Sequence, residues 1–126
     1  MKILLLEDDV ALRFMFKEAL ESFGHDVIAT GTIEAASEAI SMHRPPLIIL
    51  DLMIDGEMSV DLAGLAEVAS PNCEVIFVTG SGMFPNAELF DLNVKTSSVL
   101  RKPVDIHHLG SLVDHIANTR ADVTAV

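Results

Sequence analysis

Four short hydrophobic runs divide the chain, and each of them ends in polar residues. They lie at residues 3–6, 47–50, 75–78 and 97–100. Runs of about four to eight aliphatic residues are typical of the buried strands of a parallel sheet. The residues that follow the runs are, in order, Glu7-Asp8-Asp9, Asp51, Thr79 and Arg101-Lys102-Pro103. The pattern therefore predicts buried strands whose carboxyl ends carry acids, a hydroxyl and an ammonium.

In most of the segments between these runs, apolar residues recur at the spacing of an amphipathic helix. The predicted helices cover residues 11–23, 33–42, 59–69, 84–93 and 105–117. Asp9, Thr32 and Ser59 precede or begin three of them and are suitable N-caps, because their side-chain oxygens can accept hydrogen bonds from unpaired amides. The fourth helix is interrupted by Pro85, so we expect it to be short or mobile.

Strands and helices alternate five times when the β-branched run at residues 26–30 is counted as the second strand. This alternation predicts one α/β domain, a doubly wound parallel sheet with right-handed crossovers and helices on both faces. We expect the strand order 2-1-3-4-5, which places the first and third strands side by side. The domain is expected to cover residues 1–118, with a frayed tail over residues 119–126.

Composition excludes several classes of function. The 126 residues carry a formal net charge of −11, and nucleic acids and anionic membranes are bound by clustered Lys and Arg, so neither partner is expected. No apolar run approaches the roughly 20 residues that cross a bilayer, and we expect a cytoplasmic protein. The single Cys73 cannot form an internal disulfide and is expected to be a small buried hydrophobic residue.

The acids that follow the first and third strands predict a cation site. Ligands of open α/β sheets bind outside the carboxyl ends of the strands, so Glu7, Asp8 and Asp51 should converge there. Like charges at close range require a cation or raised pKa values, and hard oxygen ligands of this kind suit Mg²⁺. With the hydroxyl of Thr79 and the ammonium of Lys102 beside them, these groups are suited to phosphoryl transfer onto a carboxylate.

Taken together, these motifs resemble the receiver domains of two-component response regulators, from Lys2 to about Ile116. The resemblance implies a flavodoxin-like (βα)5 fold in which Asp51 is the phosphoacceptor. It implies a sensor histidine kinase or a histidine phosphotransfer protein as the donor, and an unknown downstream protein or a phosphate-sink role as the output. The protein would take part in its own phosphoryl transfer and dephosphorylation without being an enzyme for other substrates.

The same resemblance assigns roles to individual residues. The ligands of Mg²⁺ would be the side chains of Glu7, Asp8 and Asp51 and the backbone carbonyl of Met53. Thr79 would be the switch hydroxyl that moves to the phosphoryl group, and Lys102 would pair with that group. The peptide bond from Lys102 to Pro103 would be cis, which is a minority state even before proline.

Several positions depart from the usual receiver pattern. Asp55 stands where a proline is common, Val99 replaces the usual aromatic residue of the fifth strand, and Gly80 stands where a small residue such as alanine is usual. The string from Phe77 to Gly82 resembles the FATGUY group of receivers, which are commonly stand-alone proteins with an atypical fourth helix. We therefore expect the signal to leave the site by reorganisation around Gly80 and Gly82.

Two other classes of function remain open at this stage. A pseudo-receiver would use the same fold as a phosphorylation-independent interaction module, but the joint presence of all the site residues argues against it. A phosphatase of the haloacid dehalogenase type would carry a second aspartate two residues after its nucleophile. Met53 occupies that position, which argues against the phosphatase.

The five histidines of the chain are all expected to lie at the surface. His107 and His108 are adjacent, and neighbouring side chains on a helix point about 100° apart, so the pair is poorly placed to share a metal. The isolated histidines are His25, His43 and His115.

Overall fold

The computed structural model describes residues 1–80 and 98–124. The strands are β1 (Lys2–Leu6), β2 (Asp26–Thr30), β3 (Leu47–Asp51), β4 (Met53–Ile54), β5 (Glu57–Met58), β6 (Glu74–Thr79) and β7 (Ser98–Arg101). The helices are α1 (Val10–Ser22), α2 (Ile33–His43), α3 (Asp61–Ala69) and α4 (Ile106–Thr124). The predicted fourth helix over residues 84–93, and Gly82 before it, lie outside the described residues.

The long strands form one parallel sheet in the order β2-β1-β3-β6-β7. Because β6 and β7 are the fourth and fifth predicted strands, the order 2-1-3-4-5 and the flavodoxin-like doubly wound fold are confirmed. Leu6 at the end of β1 lies opposite Thr30 on one side and Leu50 on the other. The first and third strands therefore end side by side.

Two hydrophobic layers cover the sheet, one on each face. Successive residues of β1 alternate between them: Leu4 and Leu6 pack in the layer with α2 and α3, whereas Ile3 and Leu5 pack in the layer with α1 and α4. All four side chains are at most 1% exposed. Since burying each such side chain contributes about 1.5–3 kcal/mol, the strands that carry the site residues are firmly held.

Two of the predicted helix caps are confirmed. The Asp9 carboxylate accepts a hydrogen bond from the Leu12 amide at 3.0 Å at the start of α1. The Thr32 hydroxyl accepts one from the Ala35 amide at 3.1 Å at the start of α2. Caps of this type stabilise a helix by about 1 kcal/mol, which explains why both helices begin where their sequences indicate.

The segment between β3 and α3 lies outside the predicted strands and helices, but it contains a β-hairpin with a two-residue turn. Met53 pairs with Met58 in antiparallel register. Asp55 and Gly56 form the turn with φ values of +49° and +81°, the left-handed pair that matches the twist of a hairpin. The Asp-Gly dipeptide is a turn signal, but two-residue strands are too short to show an alternating pattern.

The predicted capping role of Ser59 is wrong. Helix α3 begins at Asp61 and has no side-chain cap hydrogen bond. The Ser59 hydroxyl instead donates to the backbone carbonyl of Asp51 at 2.7 Å. Since Ser59 is buried, its hydroxyl needs a hydrogen-bond partner, and the neighbouring strand supplies one.

Helix α4 is longer than predicted. It was expected to end at Ala117, but it continues to Thr124. Fraying of the tail over residues 119–126 stays a prediction. The apolar stripe does stop near Ile116, yet the Arg120 guanidinium donates to the backbone carbonyl of Asn72. This contact ties the first of about two additional turns to the loop after α3, and no periodicity within the helix itself could reveal it.

The expectation that His25 is exposed is also wrong. It is only 8% exposed, and its Nε2 lies 2.9 Å from a carboxylate oxygen of Asp114 on α4. Its Nδ1 lies 3.2 Å from the amino group of Met1. These partners come from both ends of the sequence, so His25 looks isolated until the chain is folded. The remaining histidines are exposed, as expected.

Cys73 is 1% exposed, which confirms its place as a small buried residue just before β6. Among the helices of the described residues, none combines the length and the apolar character that crossing a bilayer requires.

Candidate functional site

Four predicted site residues meet at the carboxyl edge of the sheet. Glu7 follows β1, Asp51 ends β3, Thr79 ends β6 and Lys102 follows β7. The Lys102 Nζ lies 3.0 Å from Glu7 Oε1 and 2.9 Å from Asp51 Oδ2. The Lys102 amide donates to the backbone carbonyl of Thr79 at 2.8 Å, and the peptide bond to Pro103 is cis, as predicted. The strand ends therefore converge as the topology requires.

The carboxylates that contact Lys102 are almost completely buried. The side chains of Glu7 and Asp51 are 2% and 8% exposed, against 27% for Lys102. Moving ions out of water costs on the order of several kcal/mol each, so such groups need opposite charges and hydrogen bonds. Glu7 accepts a bond from the Asp9 amide at 3.1 Å, and Asp51 accepts one from the Met53 amide at 3.4 Å. One ammonium shared by two carboxylates leaves the cluster attractive to a further cation.

The environment shifts the pKa values of two members of this cluster. Burial raises the pKa of Glu7, and the charge of Asp51 adds to the rise, while the Asp9 amide and Lys102 oppose it. Burial lowers the pKa of Lys102, but its hydrogen bonds to Asp51 and Glu7 outweigh that effect and raise it. Lys102 is therefore held as a cation, and Glu7 releases its proton less readily than an exposed glutamate does.

Three carboxylates form a group that can hold a divalent cation. One oxygen from each of Glu7, Asp8 and Asp51 lies within 4.8 Å of the others. Glu7 and Asp51 are buried, while Asp8 is exposed, so the group opens to solvent on one side. Mg²⁺ takes hard oxygen ligands from one or two carboxylates and keeps several waters. The donor set therefore fits Mg²⁺, as the sequence predicts.

Met53 lies beside this group. Its amide contact with the Asp51 carboxylate brings the Met53 backbone to the site, at the start of β4. That its carbonyl is a metal ligand stays a prediction. Asp55 lies exposed at the hairpin turn and is not a member of the carboxylate group.

Thr79 lies at the end of β6 as predicted, but its hydroxyl bonds to the neighbouring backbone and not to the carboxylate cluster. The residue is 1% exposed, and its Oγ1 donates to the backbone carbonyl of Gly80 at 3.3 Å. The predicted switch role would require this hydroxyl to change partners. Val99 on β7 is half-buried against the hydrophobic layer of α2 and α3.

Two residues that hold the backbone of the site were not predicted as members of it. Ser59 donates to the carbonyl of Asp51, as described above, and the Arg13 guanidinium donates to the backbone carbonyl of Glu7 at 3.0 Å. Both are contacts of a side chain with a backbone carbonyl, six residues away for Arg13 and eight residues away for Ser59. The sequence indicates a cap role for Ser59 and no role for Arg13, because a contact with a backbone carbonyl leaves no motif.

Chemically, the arrangement places a fixed cation beside the Asp51 carboxylate. Lys102 lies 2.9 Å from Asp51 Oδ2, where it can neutralise negative oxygens bound next to Asp51. A divalent cation among the carboxylates would add positive charge from another side. Groups fixed in advance at the place where charge develops are the main source of stabilisation in phosphoryl transfer.

Comparison with known proteins agrees with this geometry. A family model described as the response regulator receiver domain matches residues 3–114. The transcriptional regulatory protein CrdR of Helicobacter pylori is 32% identical over 122 residues, which are 93% of this chain and 55% of CrdR. The response regulator receiver protein CpdR of Brucella abortus is 28% identical over 118 residues, which are 91% of this chain and 92% of CpdR.

A solved structure shows the same fold. The crystal structure of a CheY-like receiver domain protein from Methanospirillum hungatei superposes with a TM-score of 0.85 at 23% identity, and the match covers 96% of both chains. The chain spans about half the length of CrdR but nearly all of CpdR. Since the family model covers most of the described fold and all four strand ends of the site, the chain belongs to the response regulator receiver domain family.

Proposed function

We propose that the protein is a cytoplasmic single-domain response regulator that accepts a phosphoryl group on Asp51 with Mg²⁺ bound. The observation that carries the proposal is the Asp51 carboxylate, which is buried at the sheet edge, 2.9 Å from the Lys102 ammonium and grouped with Glu7 and Asp8. Family membership supports a sensor histidine kinase or a histidine phosphotransfer protein as the donor. The match to nearly the full length of CpdR supports the single-domain form.

In the proposed reaction, a carboxylate oxygen of Asp51 attacks the phosphorus atom of a phosphohistidine. The new P–O bond forms as the P–N bond breaks, and the electron pair returns to the imidazole nitrogen. Lys102 would then pair with the transferred oxygens. Mg²⁺, when bound by Glu7, Asp8, Asp51 and the Met53 carbonyl, supplies the rest of the positive charge. Attack of water on phosphorus would later release phosphate and restore Asp51.

The signal would leave through the end of β6. A phosphoryl group on Asp51 offers a charged acceptor that is stronger than the Gly80 carbonyl, which now binds the Thr79 hydroxyl at 3.3 Å. Exchange of that partner would favour a second conformation around Gly80, which is a population shift driven by a local charge. Output would then pass to a downstream protein by direct contact, or the protein would drain a shared kinase as a phosphate sink.

A matched pair of variants tests the phosphoacceptor. The wild type is incubated with acetyl phosphate and Mg²⁺, and intact-mass spectrometry measures the gain of one phosphoryl group. Asp51→Asn removes the proposed nucleophile, while Asp55→Asn makes the same change at the exposed hairpin turn. We expect the adduct in the wild type and Asp55→Asn, its loss in Asp51→Asn, and its release by hydroxylamine, which cleaves acyl phosphates.

The same assay separates the other functions. If neither acetyl phosphate nor a histidine kinase modifies the wild type, the proposal fails and a pseudo-receiver is favoured. An adduct that persists in Asp51→Asn would place the phosphoryl group on another residue. Fast hydrolysis of unrelated phosphomonoesters would instead indicate a phosphatase.

A further inference from the structure

Arg13 reaches from α1 back to the backbone that carries the proposed metal ligands. Its Nη1 donates to the carbonyl oxygen of Glu7 at 3.0 Å. That carbonyl belongs to the peptide unit that joins Glu7 to Asp8. Holding its oxygen fixes the plane of this peptide, and with it the direction in which the backbone enters Asp8. One guanidinium contact therefore constrains two adjacent carboxylate-bearing residues.

Gly31 provides the space in which the guanidinium lies. A methyl group on Gly31 would fall 2.2 Å from Arg13 Nη1, which is far inside van der Waals contact. Any side chain at this position would thus move the end of Arg13 away. The residue before it, Thr30, accepts a hydrogen bond from the Glu7 amide at 3.0 Å. Both polar backbone groups of Glu7 are therefore held near the end of β2. Thr30 accepts from the amide, and the carbonyl accepts from Arg13, whose guanidinium lies over Gly31.

We propose that Arg13, seated over Gly31, is a positioning residue for the metal site. It orients the Glu7–Asp8 peptide so that both carboxylates face Asp51. This inference rests on the proposed function, because it concerns the site at which Mg²⁺ would bind. It gives Arg13 a role through the backbone and not through its charge.

An electrostatic role and a positioning role of Arg13 predict opposite changes in Mg²⁺ affinity when the side chain is removed. A guanidinium near a cation site repels Mg²⁺, so a purely electrostatic Arg13 would weaken binding, and its removal would strengthen it. A positioning Arg13 strengthens binding despite its charge, and its removal weakens it. The direction of the change in Mg²⁺ affinity therefore distinguishes the roles.

Calorimetric titration with MgCl₂ measures that direction in Arg13→Ala, Arg13→Lys and Gly31→Ala. We expect the Kd to rise about tenfold in Arg13→Ala and in Gly31→Ala, which is the lower end of the usual cost of losing a ligand's supporting contact. Gly31→Ala keeps the charge and displaces the contact, while Arg13→Lys keeps one donor and should recover part of the affinity. The double variant should bind no more weakly than Arg13→Ala alone, because both changes remove one contact.

A second readout needs no metal. The amide resonance of Asp8 in Mg²⁺-free protein should shift in both Arg13→Ala and Gly31→Ala, since both free the preceding carbonyl. Lys17→Ala is the control: it removes a cation from the same helix, where Lys17 contacts Glu21 at 3.1 Å, and it should change neither the Asp8 resonance nor the Kd appreciably.

Unchanged or tighter Mg²⁺ binding in Arg13→Ala and unchanged binding in Gly31→Ala would overturn the inference alone. If Arg13→Ala does not fold, Gly31→Ala decides, because the close contacts of its methyl group are with the end of a flexible side chain. A wild type that binds no Mg²⁺ would overturn the metal site of the proposed function, and this inference with it.

Discussion

At the scale of single residues, the site is organised around one ammonium. Lys102 contacts both Glu7 and Asp51, whose carboxylates are shielded from water. The ammonium offsets part of their mutual repulsion and of the free energy lost on burial. It also competes with a metal ion for the same oxygens, so its effect on metal binding and its effect on phosphoryl transfer should differ in sign.

Replacing Lys102 with methionine separates those effects. We expect Lys102→Met to bind Mg²⁺ more tightly, because the cluster becomes more negative. Phosphorylation by acetyl phosphate should slow by about 100-fold, the usual cost of losing one fixed donor at developing charge. Calorimetry and the rate of adduct formation measure the two effects, with Lys17→Met as a control for a lost surface cation. Weaker Mg²⁺ binding with an unchanged rate would contradict this role.

Sequence reasoning was strongest for residues at strand ends. Glu7, Asp51, Thr79 and Lys102 could be placed because a parallel sheet brings all carboxyl ends to one edge, whatever the side-chain details. Arg13, Ser59 and His25 could not be placed, because their partners are backbone atoms or residues that only the tertiary fold brings near. Such contacts follow from packing and leave no periodic signal.

At the scale of elements, the β4–β5 hairpin is tied to Asp51 at both of its ends. The Met53 amide, at the first residue of the hairpin, donates to the Asp51 carboxylate, and the Ser59 hydroxyl donates to the Asp51 carbonyl just after the hairpin. A chemical change at the Asp51 carboxylate therefore alters a group that the hairpin contacts directly. The shape of the hairpin depends on its turn, where Gly56 has a φ of +81°.

Two glycine-to-alanine changes should have opposite effects on stability. Gly56→Ala forces an alanine into the left-handed region and should lower the free energy of unfolding by about 1–2 kcal/mol. Gly64→Ala, in the exposed part of α3 with open space for the methyl group, should raise it by about 0.5–1 kcal/mol. Urea denaturation measures both changes. Equal effects of the two substitutions would show that the turn conformation is not a constraint.

The presence of a helix or strand was easier to predict than its first and last residues. The starts of α1 and α2 follow from local caps, which the sequence displays directly. The extension of α4 to Thr124 depends on a contact between Arg120 and Asn72, and the hairpin depends on strands of two residues. The predicted fourth helix and the FATGUY assignment stay predictions.

At the scale of the whole molecule, an apolar surface lies next to the site. Val10 and Phe14 on α1 are 69% and 65% exposed, and they stand one helical turn apart just after the acids of the first strand end. A separate groove of about 360 Å³ is lined by residues that include Met15 of α1 and Lys102. Exposed apolar groups beside a reactive residue suit contact with a protein donor, whereas a small donor would not need them.

A substitution in this apolar surface should therefore slow phosphoryl transfer from a protein donor and leave transfer from a small donor unchanged. We expect Phe14→Ser to reduce phosphotransfer from a histidine kinase or phosphotransfer protein that modifies the wild type, by roughly tenfold, as for the loss of a moderate interface contact. The rate with acetyl phosphate should not change. Val68→Ser is the control, because Val68 is 84% exposed on α3, on the other face of the sheet. Equal slowing with both donors would point to a damaged site instead.

The overall architecture could be predicted almost completely from the sequence. Five alternating strand and helix patterns leave few topologies, because parallel crossovers are right-handed and sequential strands lie near one another. The two hydrophobic layers follow from strands such as β1, which are apolar on both faces. Partners and output leave no comparable pattern, since they depend on surfaces whose use is set by another molecule.

The central claim is that Asp51 itself carries the phosphoryl group, and chemical reduction tests it most directly. Borohydride reduces an aspartyl phosphate to homoserine, which peptide mass spectrometry locates in the chain. After treatment with acetyl phosphate and Mg²⁺, we expect homoserine at position 51, and none when the metal is chelated. Homoserine at Asp8 or another aspartate, 5-hydroxynorvaline (the product from a glutamyl phosphate) at Glu7, or a modified protein without homoserine, would contradict the claim.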